Sequence, residues 1–268
     1  MGHGSKGDGV LDLERFAARL GTQTYGRTSE ILASTASTND DARVEAVRGA
    51  RRGHVVVADH QTAGRGARGH LWSSPPGTDL YFSVVERGLP SVRTRPPLTL
   101  AVGLGIAQAV ERLIGAEDSA RVRIKWPNDV VVDGKKCSGV LVESSSGGHV
   151  DDVAVLGVGV NVNRTDFDPD LRERATSLAL VTGHRWDRGE VLAALLAGIE
   201  TQVDRFLAEG PEPITADVSK RLFRRGETVP IDGSPAELVA VSSTGALLVR
   251  RGGAIEELTS GELDAYGR

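Results

Sequence analysis

Gly64-Arg65-Gly66-Ala67-Arg68-Gly69 follows the apolar run Val55-Val56-Val57-Ala58, and the residues after it decide the fold. The glycine spacing fits G-x-G-x-x-G, and Glu86 lies near where a dinucleotide-binding unit keeps its ribose-binding acid. That fingerprint requires a helix to open at the loop, so that its N-terminus can hold a pyrophosphate. Here His70 to Thr78 contains Pro75, Pro76 and Gly77 and runs straight into the strand-like segment Leu80-Tyr81-Phe82-Ser83-Val84-Val85. No crossover helix fits, so a Rossmann unit is excluded; no G-K-[ST] closes the loop, so it is no Walker loop either. Two readings of the stretch stay open. Glycines admit a ligand to the backbone and arginines clamp oxyanions, giving a loop that closes over an anion; or it is an Arg/Gly-rich surface loop.

Composition narrows the class. The 268 residues suffice for one large and one small domain. Lys and Arg number 32 against 36 Asp and Glu, a formal charge of −4, which gives no general affinity for DNA or an anionic membrane. No apolar run reads as a bilayer span. Residues 1–9 are polar and Gly-rich, lack the apolar core of a signal peptide, and are expected to be disordered. Cys137 is the one cysteine, which excludes an internal disulfide and fits a reducing, cytoplasmic setting.

Working outward, Leu11 to Leu20 reads as a short helix and Ser29 to Ala33 as a strand. Ser37-Thr38-Asn39-Asp40-Asp41 opens a helix running to about Ala50. His54 to Asp59 and Leu80 to Glu86 are strands. Pro97 to Ile114 is a long apolar helix bounded by Pro97 and Gly115. Arg121 to Lys125, Val130 to Asp133, Val140 to Ser144 and Val153 to Val162 are further strands, and Gly189 to Glu209 and Pro213 to Phe223 further helices. After Arg225 the pattern becomes short β-like runs, Glu227 to Ile231, Ala236 to Val241, Ala246 to Val249 and Ile255 to Leu258, as in a small β-barrel or sandwich.

Two more clusters carry chemistry. Lys125-Trp126-Pro127-Asn128-Asp129 packs a cation, an aromatic ring, an amide and a carboxylate behind a strand. Such a corner can set a lysine against phosphate and offer Asp129 to Mg²⁺; equally it can be a β-bulge with a structural tryptophan. Gly134-Lys135-Lys136-Cys137-Ser138-Gly139 follows, where Lys136 either neutralises a buried anion or sits in a solvated turn. Gly157-Val158-Gly159-Val160-Asn161-Val162-Asn163 puts glycines inside an apolar strand, a mark of close approach by a ligand or another backbone. The Asn161 amide at its end is of a kind that can read a purine edge; equally, the glycines can receive a tightly packed helix or strand.

Taken in order, Ser37-Thr38-Asn39, Gln61-Thr62-Ala63-Gly64-Arg65-Gly66, Lys125-Trp126-Pro127-Asn128-Asp129, Lys136-Cys137-Ser138-Gly139 and Gly157-Val158-Gly159-Val160-Asn161 resemble the biotin protein ligases, from about Thr28 to the C-terminus. The resemblance implies an α+β fold, a mixed β-sheet flanked by helices of the class II synthetase-like kind, with a C-terminal SH3-like β-barrel. It divides the chain into an N-terminal segment 1–27, a catalytic biotin- and ATP-binding domain 28–222 and a β domain 223–268. It implies an enzyme that makes biotinyl-5′-AMP from biotin and ATP with Mg²⁺, then passes biotin to a lysine of the biotin carboxyl carrier domain of an acetyl-CoA or acyl-CoA carboxylase. Biotin is expected at Ser37, Thr38, Asn39, Gln61, Gly64, Arg65, Gly66, Ala67, Trp72, Lys136, Gly139, Gly157 and Gly159, the last two giving room to its bicyclic ring. ATP and the adenylate are expected at Arg65, Arg68, Lys125, Asn128 and Asn161, with Arg65, Lys125 and Lys136 as the catalytic cations and Asp129 as the Mg²⁺ contact. Cys137 has no role in this chemistry.

The loop departs from the resemblance at Ala67, where a second arginine is usual, and at His70, where a basic residue is common. An arginine lost there removes up to five donors. The expectation is a weaker hold on the adenylate, unless Arg68 swings in. Relatives that repress genes carry an N-terminal helix-turn-helix domain; residues 1–27 are too few for one, so no DNA binding is expected. No membrane association is expected, and the resemblance leaves open a homodimer formed through sheet edges. Competing readings are a lipoate-type acyl-adenylate ligase, a non-catalytic biotin sensor and a dimeric regulator.

Overall fold

The computed structural model describes residues 11, 13–89, 95–115, 120–144, 153–261 and 263. The expected disordered start, residues 1–9, lies outside them.

A helix, α1 (Leu13–Arg19), precedes β1 (Ser29–Leu32), α2 (Thr38–Val47), β2 (Val55–Ala58) and β3 (Leu80–Glu86). The glycine loop between β2 and β3 contains only a 3₁₀ turn, Ala67–Gly69, as the prolines after it dictate. Then come α3 (Arg95–Ile114), β4 (Val122–Lys125), β5 (Asp129–Val132), β6 (Lys135–Ser144), β7 (Ala154–Val160), α4 (Leu178–Thr182), α5 (Arg188–Glu209) and α6 (Glu212–Lys220). Seven strands form a mixed sheet in the order β1-β2-β3-β7-β6-β5-β4. Only β1 and β2 run parallel; the other neighbours are antiparallel.

Two expectations change here. The strand expected over Val140 to Ser144 starts earlier, at Lys135, because the turn before it closes at Asp133 and Gly134, both in the left-handed region; of the two readings of Lys136, the solvated turn falls away. The short helix α4 was not foreseen; Ser177 caps it by accepting from the Leu180 N–H.

The helix α3 is apolar over most of its surface because most of it is enclosed. It packs between the sheet and α5 with Leu98, Leu100, Val102, Leu104, Ile106 and Val110 all but inaccessible. By length and composition alone it could cross a bilayer, contrary to the expectation that no run could; two thirds of that stretch lies in the core. Gly105 and Gly198 let α3 and α5 touch backbone to backbone. A Cβ on Gly105 would stand 2.5 Å from the Gly198 carbonyl oxygen, and one on Gly198 2.4 Å from that of Gly105. No side chain fits there.

After α6, β8 (Thr228–Ile231), β9 (Ser234–Val241), β10 (Leu247–Arg251) and β11 (Ala254–Leu258) form a second, antiparallel sheet in the order β11-β10-β9-β8. Among the described residues no pairing joins β8 to β11, so the expected closed barrel is here a four-stranded sheet. Two contacts tie this sheet to the segments singled out above. Trp126 Nε1 donates to the Gly245 carbonyl at 2.9 Å, and Arg68 donates to the Gly261 carbonyl.

Candidate functional site

A cleft lies against the middle of the large sheet. Ser37, Thr38 and Asn39 enter it from the start of α2, and Gln61, Arg65, Gly66, Ala67 and Trp72 from the glycine loop. Asn128 enters from the β4–β5 turn, and Lys136, Gly139, Val140, Leu141, Gly157, Val158 and Gly159 from β6 and β7. The elements converge because β7 pairs with β3 on one side and β6 on the other.

The polar wall is a chain of hydrogen bonds. Ser37 occupies the N-cap position of α2 yet makes no capping bond, which leaves its buried hydroxyl facing the cleft. The Thr38 N–H and hydroxyl both donate to Gln61 Oε1, at 3.0 and 3.2 Å. Gln61 Nε2 in turn donates to Ser74 Oγ at 3.0 Å. Ser83, fully buried on β3, lies 2.8 Å from Thr38 Oγ1 and 2.6 Å from Asn39 Oδ1.

The glycines serve this wall. A Cβ on Gly157 would strike Asn39 Oδ1 at 2.1 Å. On Gly159 it would meet the Trp72 indole at 2.4 Å, and on Gly139 the same indole at 2.8 Å. The room expected at Gly157 and Gly159 for a ligand ring is thus taken by Asn39 and Trp72. Trp72 Nε1 is buried without an acceptor among the described residues.

Two cations line the cleft, and both are held by carboxylates. Lys136 Nζ is 2.7 Å from Asp129 Oδ1 and 5.1 Å from the centre of the Trp72 ring. Arg65 grips Asp40 through both terminal nitrogens, at 2.6 and 2.8 Å, and reaches Glu143 at 3.2 Å. Arg43 joins the same two acids at 2.9 and 3.1 Å. The Arg65 guanidinium accordingly holds the Asp40 carboxyl below its ordinary range, and Arg65 itself is pushed up by Asp40.

A second charged group lies beneath. Asp79 is fully buried and accepts from the Val162 N–H at 2.9 Å and from Arg164 Nε at 2.8 Å. Arg164 also donates to the Ser73 carbonyl at 2.9 Å, next to Trp72. Arg188 bridges the Asp79 carbonyl, at 2.9 Å, and the Asp59 carboxylate, at 2.7 Å. The sequence reading passed over Ser83, Asp40, Glu143, Asp79 and Arg164. Only Asp40, adjoining Ser37-Thr38-Asn39, stood beside a motif; the others become visible through long-range pairing.

Residues 31–161 match the model of the Biotin/lipoate A/B protein ligase family. The biotin–[acetyl-CoA-carboxylase] ligase of Mycobacterium tuberculosis is 34% identical over 217 residues, covering 80% of this chain and 77% of that one. The chain belongs to the biotin/lipoate protein ligase family. A solved structure, the biotin protein ligase from Aquifex aeolicus in complex with biotin and ATP, superposes with a TM-score of 0.77 at 30% identity, covering 90% of this chain and all of that one. The bifunctional ligase/repressor BirA of Bacillus spizizenii is 32% identical over 211 residues, of which the match spans 78% of this chain and 64% of the relative.

For this ligase-family chain, most residues expected at biotin are gathered in the cleft; Gly64 is not among its lining. Gly64 instead makes way for the Trp72 carbonyl, 2.6 Å from where its Cβ would be. Among the residues expected at the nucleotide, Arg65 and Asn128 line the cleft, and Arg68, Lys125 and Asn161 do not. Arg68 takes the left-handed conformation (φ 59°), which carries its side chain to Gly261. Asn161 spends its amide on the Thr176 and Lys136 carbonyls, at 2.9 and 3.3 Å. Lys125 is buried at the end of β4. Both readings of the Lys125 to Asp129 corner contain part of the structure: Trp126 is a structural tie to Gly245, β5 is bulged between Val130 and Val131, Asn128 lines the cleft, and Asp129 pairs with the cleft residue Lys136. Burial pushes the Cys137 thiol up to about 12, which leaves it inert.

Proposed function

We propose that this chain is an ATP-dependent biotin–protein ligase. In the first step a biotin carboxylate oxygen attacks the α-phosphorus of ATP; the new P–O bond replaces the bond to pyrophosphate, which leaves, giving biotinyl-5′-AMP. In the second step the amine of a carrier-domain lysine attacks the acyl carbon, loses a proton and expels AMP. The observation that carries the reading is a single cleft lined both by the hydrogen-bonding wall of Ser37, Thr38, Asn39 and Gln61 and by Lys136 set against Trp72. The wall matches a ureido group, which both donates and accepts. The indole suits an apolar body, and Lys136 suits a carboxylate.

Adenylation needs no protein nucleophile; it needs charge and alignment where phosphoryl oxygens gather charge. Lys136 and Arg65 are the cations that line the cleft, and we place Asn128 beside the nucleotide. Lys125 and Arg68 support this corner and loop from outside the cleft. The donor set also fits Mg²⁺. Among the described residues no group of three or more His, Cys, Asp or Glu forms a cage, whereas Mg²⁺ takes most of its ligands from water and phosphates and one or two from carboxylates. Asp129 would hold it, and it would offset triphosphate charge. The partner supported is a biotin carboxyl carrier domain of an acyl-CoA carboxylase type, in line with the name of the mycobacterial relative. The domains would be a catalytic unit over 28–222 and a β unit over 223–268.

The test is intact-mass measurement of a purified carrier domain incubated with the chain, biotin and ATP. The expected result is one biotin per carrier, dependent on ATP. Two unrelated carrier domains left unmodified, with no pyrophosphate released, would refute the reading.

A further inference from the structure

Glu143 lies on β6 just past Leu141, the last residue of that strand to line the cleft, and touches three residues from two segments. Its Oε2 accepts from Asn39 Nδ2 at 2.6 Å and from Arg65 at 3.2 Å, and Arg43 adds a third contact at 3.1 Å. A carboxylate can only accept. Asn39 must therefore turn its NH₂ edge to Glu143 and to the Leu141 carbonyl, 3.4 Å away. Its Oδ1 then faces Ser83 and the bare Cα of Gly157. At the other end of the wall, the Thr38 N–H can only donate, and it fixes Gln61 with its oxygen inward. The acceptor-only Glu143 thus sets the sense of the Asn39 amide, and the donor-only Thr38 N–H sets that of Gln61. At the rim, two guanidiniums share two carboxylates; without the Glu143 charge, Arg43 and Arg65 would face Asp40 alone.

We propose that Glu143 is a positioning residue, which fixes the orientation of the Asn39 amide in the biotin-binding wall and holds the Arg65 guanidinium at the rim. The inference rests on the ligase reading above and deepens it. Glu143→Gln keeps the size but adds an NH₂ edge, so Asn39 can turn over at the cost of only its 3.4 Å contact with the Leu141 carbonyl.

The experiment is calorimetric titration of the full chain with biotin, for the wild type, Glu143→Gln, Asn39→Ser and the double variant. Each single change is expected to weaken biotin about tenfold, on the scale of one lost hydrogen bond. The double variant should also lose about tenfold, not a hundredfold, because both changes act through one amide. At saturating biotin the turnover number for pyrophosphate release by Glu143→Gln should fall by less than its biotin affinity does, because most of the loss is in ground-state binding. Glu143→Asp, still an acceptor and still charged, should bind biotin better than Glu143→Gln, and it serves if the Gln variant folds poorly. Glu143→Gln affinity within twofold of wild type, losses that multiply in the double variant, or an Asp variant weaker than the Gln variant would each overturn the proposal. A wild type that binds no biotin removes the ligase reading and this inference with it; a wild type that binds, beside an unaffected Gln variant, removes this inference alone.

Discussion

Two groups of arginines and carboxylates flank the cleft, and they differ in water. At the rim, Arg43, Arg65, Asp40 and Glu143 keep 29 to 43% of their side chains exposed. Beneath the cleft, Asp79 and Arg164 keep 0 and 9%. Exposed ion pairs contribute little and exchange partners readily. A buried charge that loses its partner is stranded without solvation, which is strongly destabilising. The same residue types therefore do opposite work. The lower group fixes Ser73, and through it the wall holding Trp72; the rim group can yield an arginine to an incoming phosphate.

The sharpest way to break this contrast is below. Arg164→Ala should destabilise the chain by about 3–5 kcal/mol, because Asp79 is left charged and unpaired; chemical denaturation checks it, and a loss under 1 kcal/mol would remove the distinction. Lys136→Ala should lower the rate of adenylate formation by about 10²–10³, the effect of removing one preorganised donor. Rapid-quench measurement of the first turnover reads this directly. Ala67→Arg restores a cation to a residue that lines the cleft, while Arg68 is engaged at Gly261 and does not line it. A charge-assisted bond of about 1.5–3 kcal/mol should slow dissociation of biotinyl-adenylate by one to two decades. An unchanged off-rate would show that the position does not face the adenylate. Asp40→Asn should cost about 1 kcal/mol or less, and the loss should shrink with added salt. The Asp40 carboxyl is held below its ordinary value in the folded chain, so its contribution is present above about pH 3.9 and is lost as the pH falls below that. The gap between the two proteins in urea unfolding should be open at pH 6 and close towards pH 3.

Local signals carried much of the fold. Pro75, Pro76 and Gly77 excluded the crossover helix, and Ser37 to Asp41 announced α2 and its approach to the cleft. Where local chemistry pointed to a ligand, tertiary packing sometimes took the same atoms. Asn161 reads as a free amide at a strand end, yet the chain returns at Thr176 to occupy it. Gly157 reads as ligand clearance, and the clearance is for Asn39. Ser83 looks like any strand serine, since only the β3–β7 register brings it beneath α2. Glu143 looks like an ordinary acid near a strand end until Arg65, 78 positions away, meets it.

Cys137 offers a practical handle. It is the one thiol in the chain, it sits in β6 beside the cleft, and its thiol is pushed up to about 12. At neutral pH the buried thiol stays protonated, so the reactive thiolate is scarce in the folded form. Alkylation must wait for β6 to peel open, so the labelling rate is a clock for that opening. No engineered probe is needed, and any ligand that staples β6 to its neighbours will slow the clock.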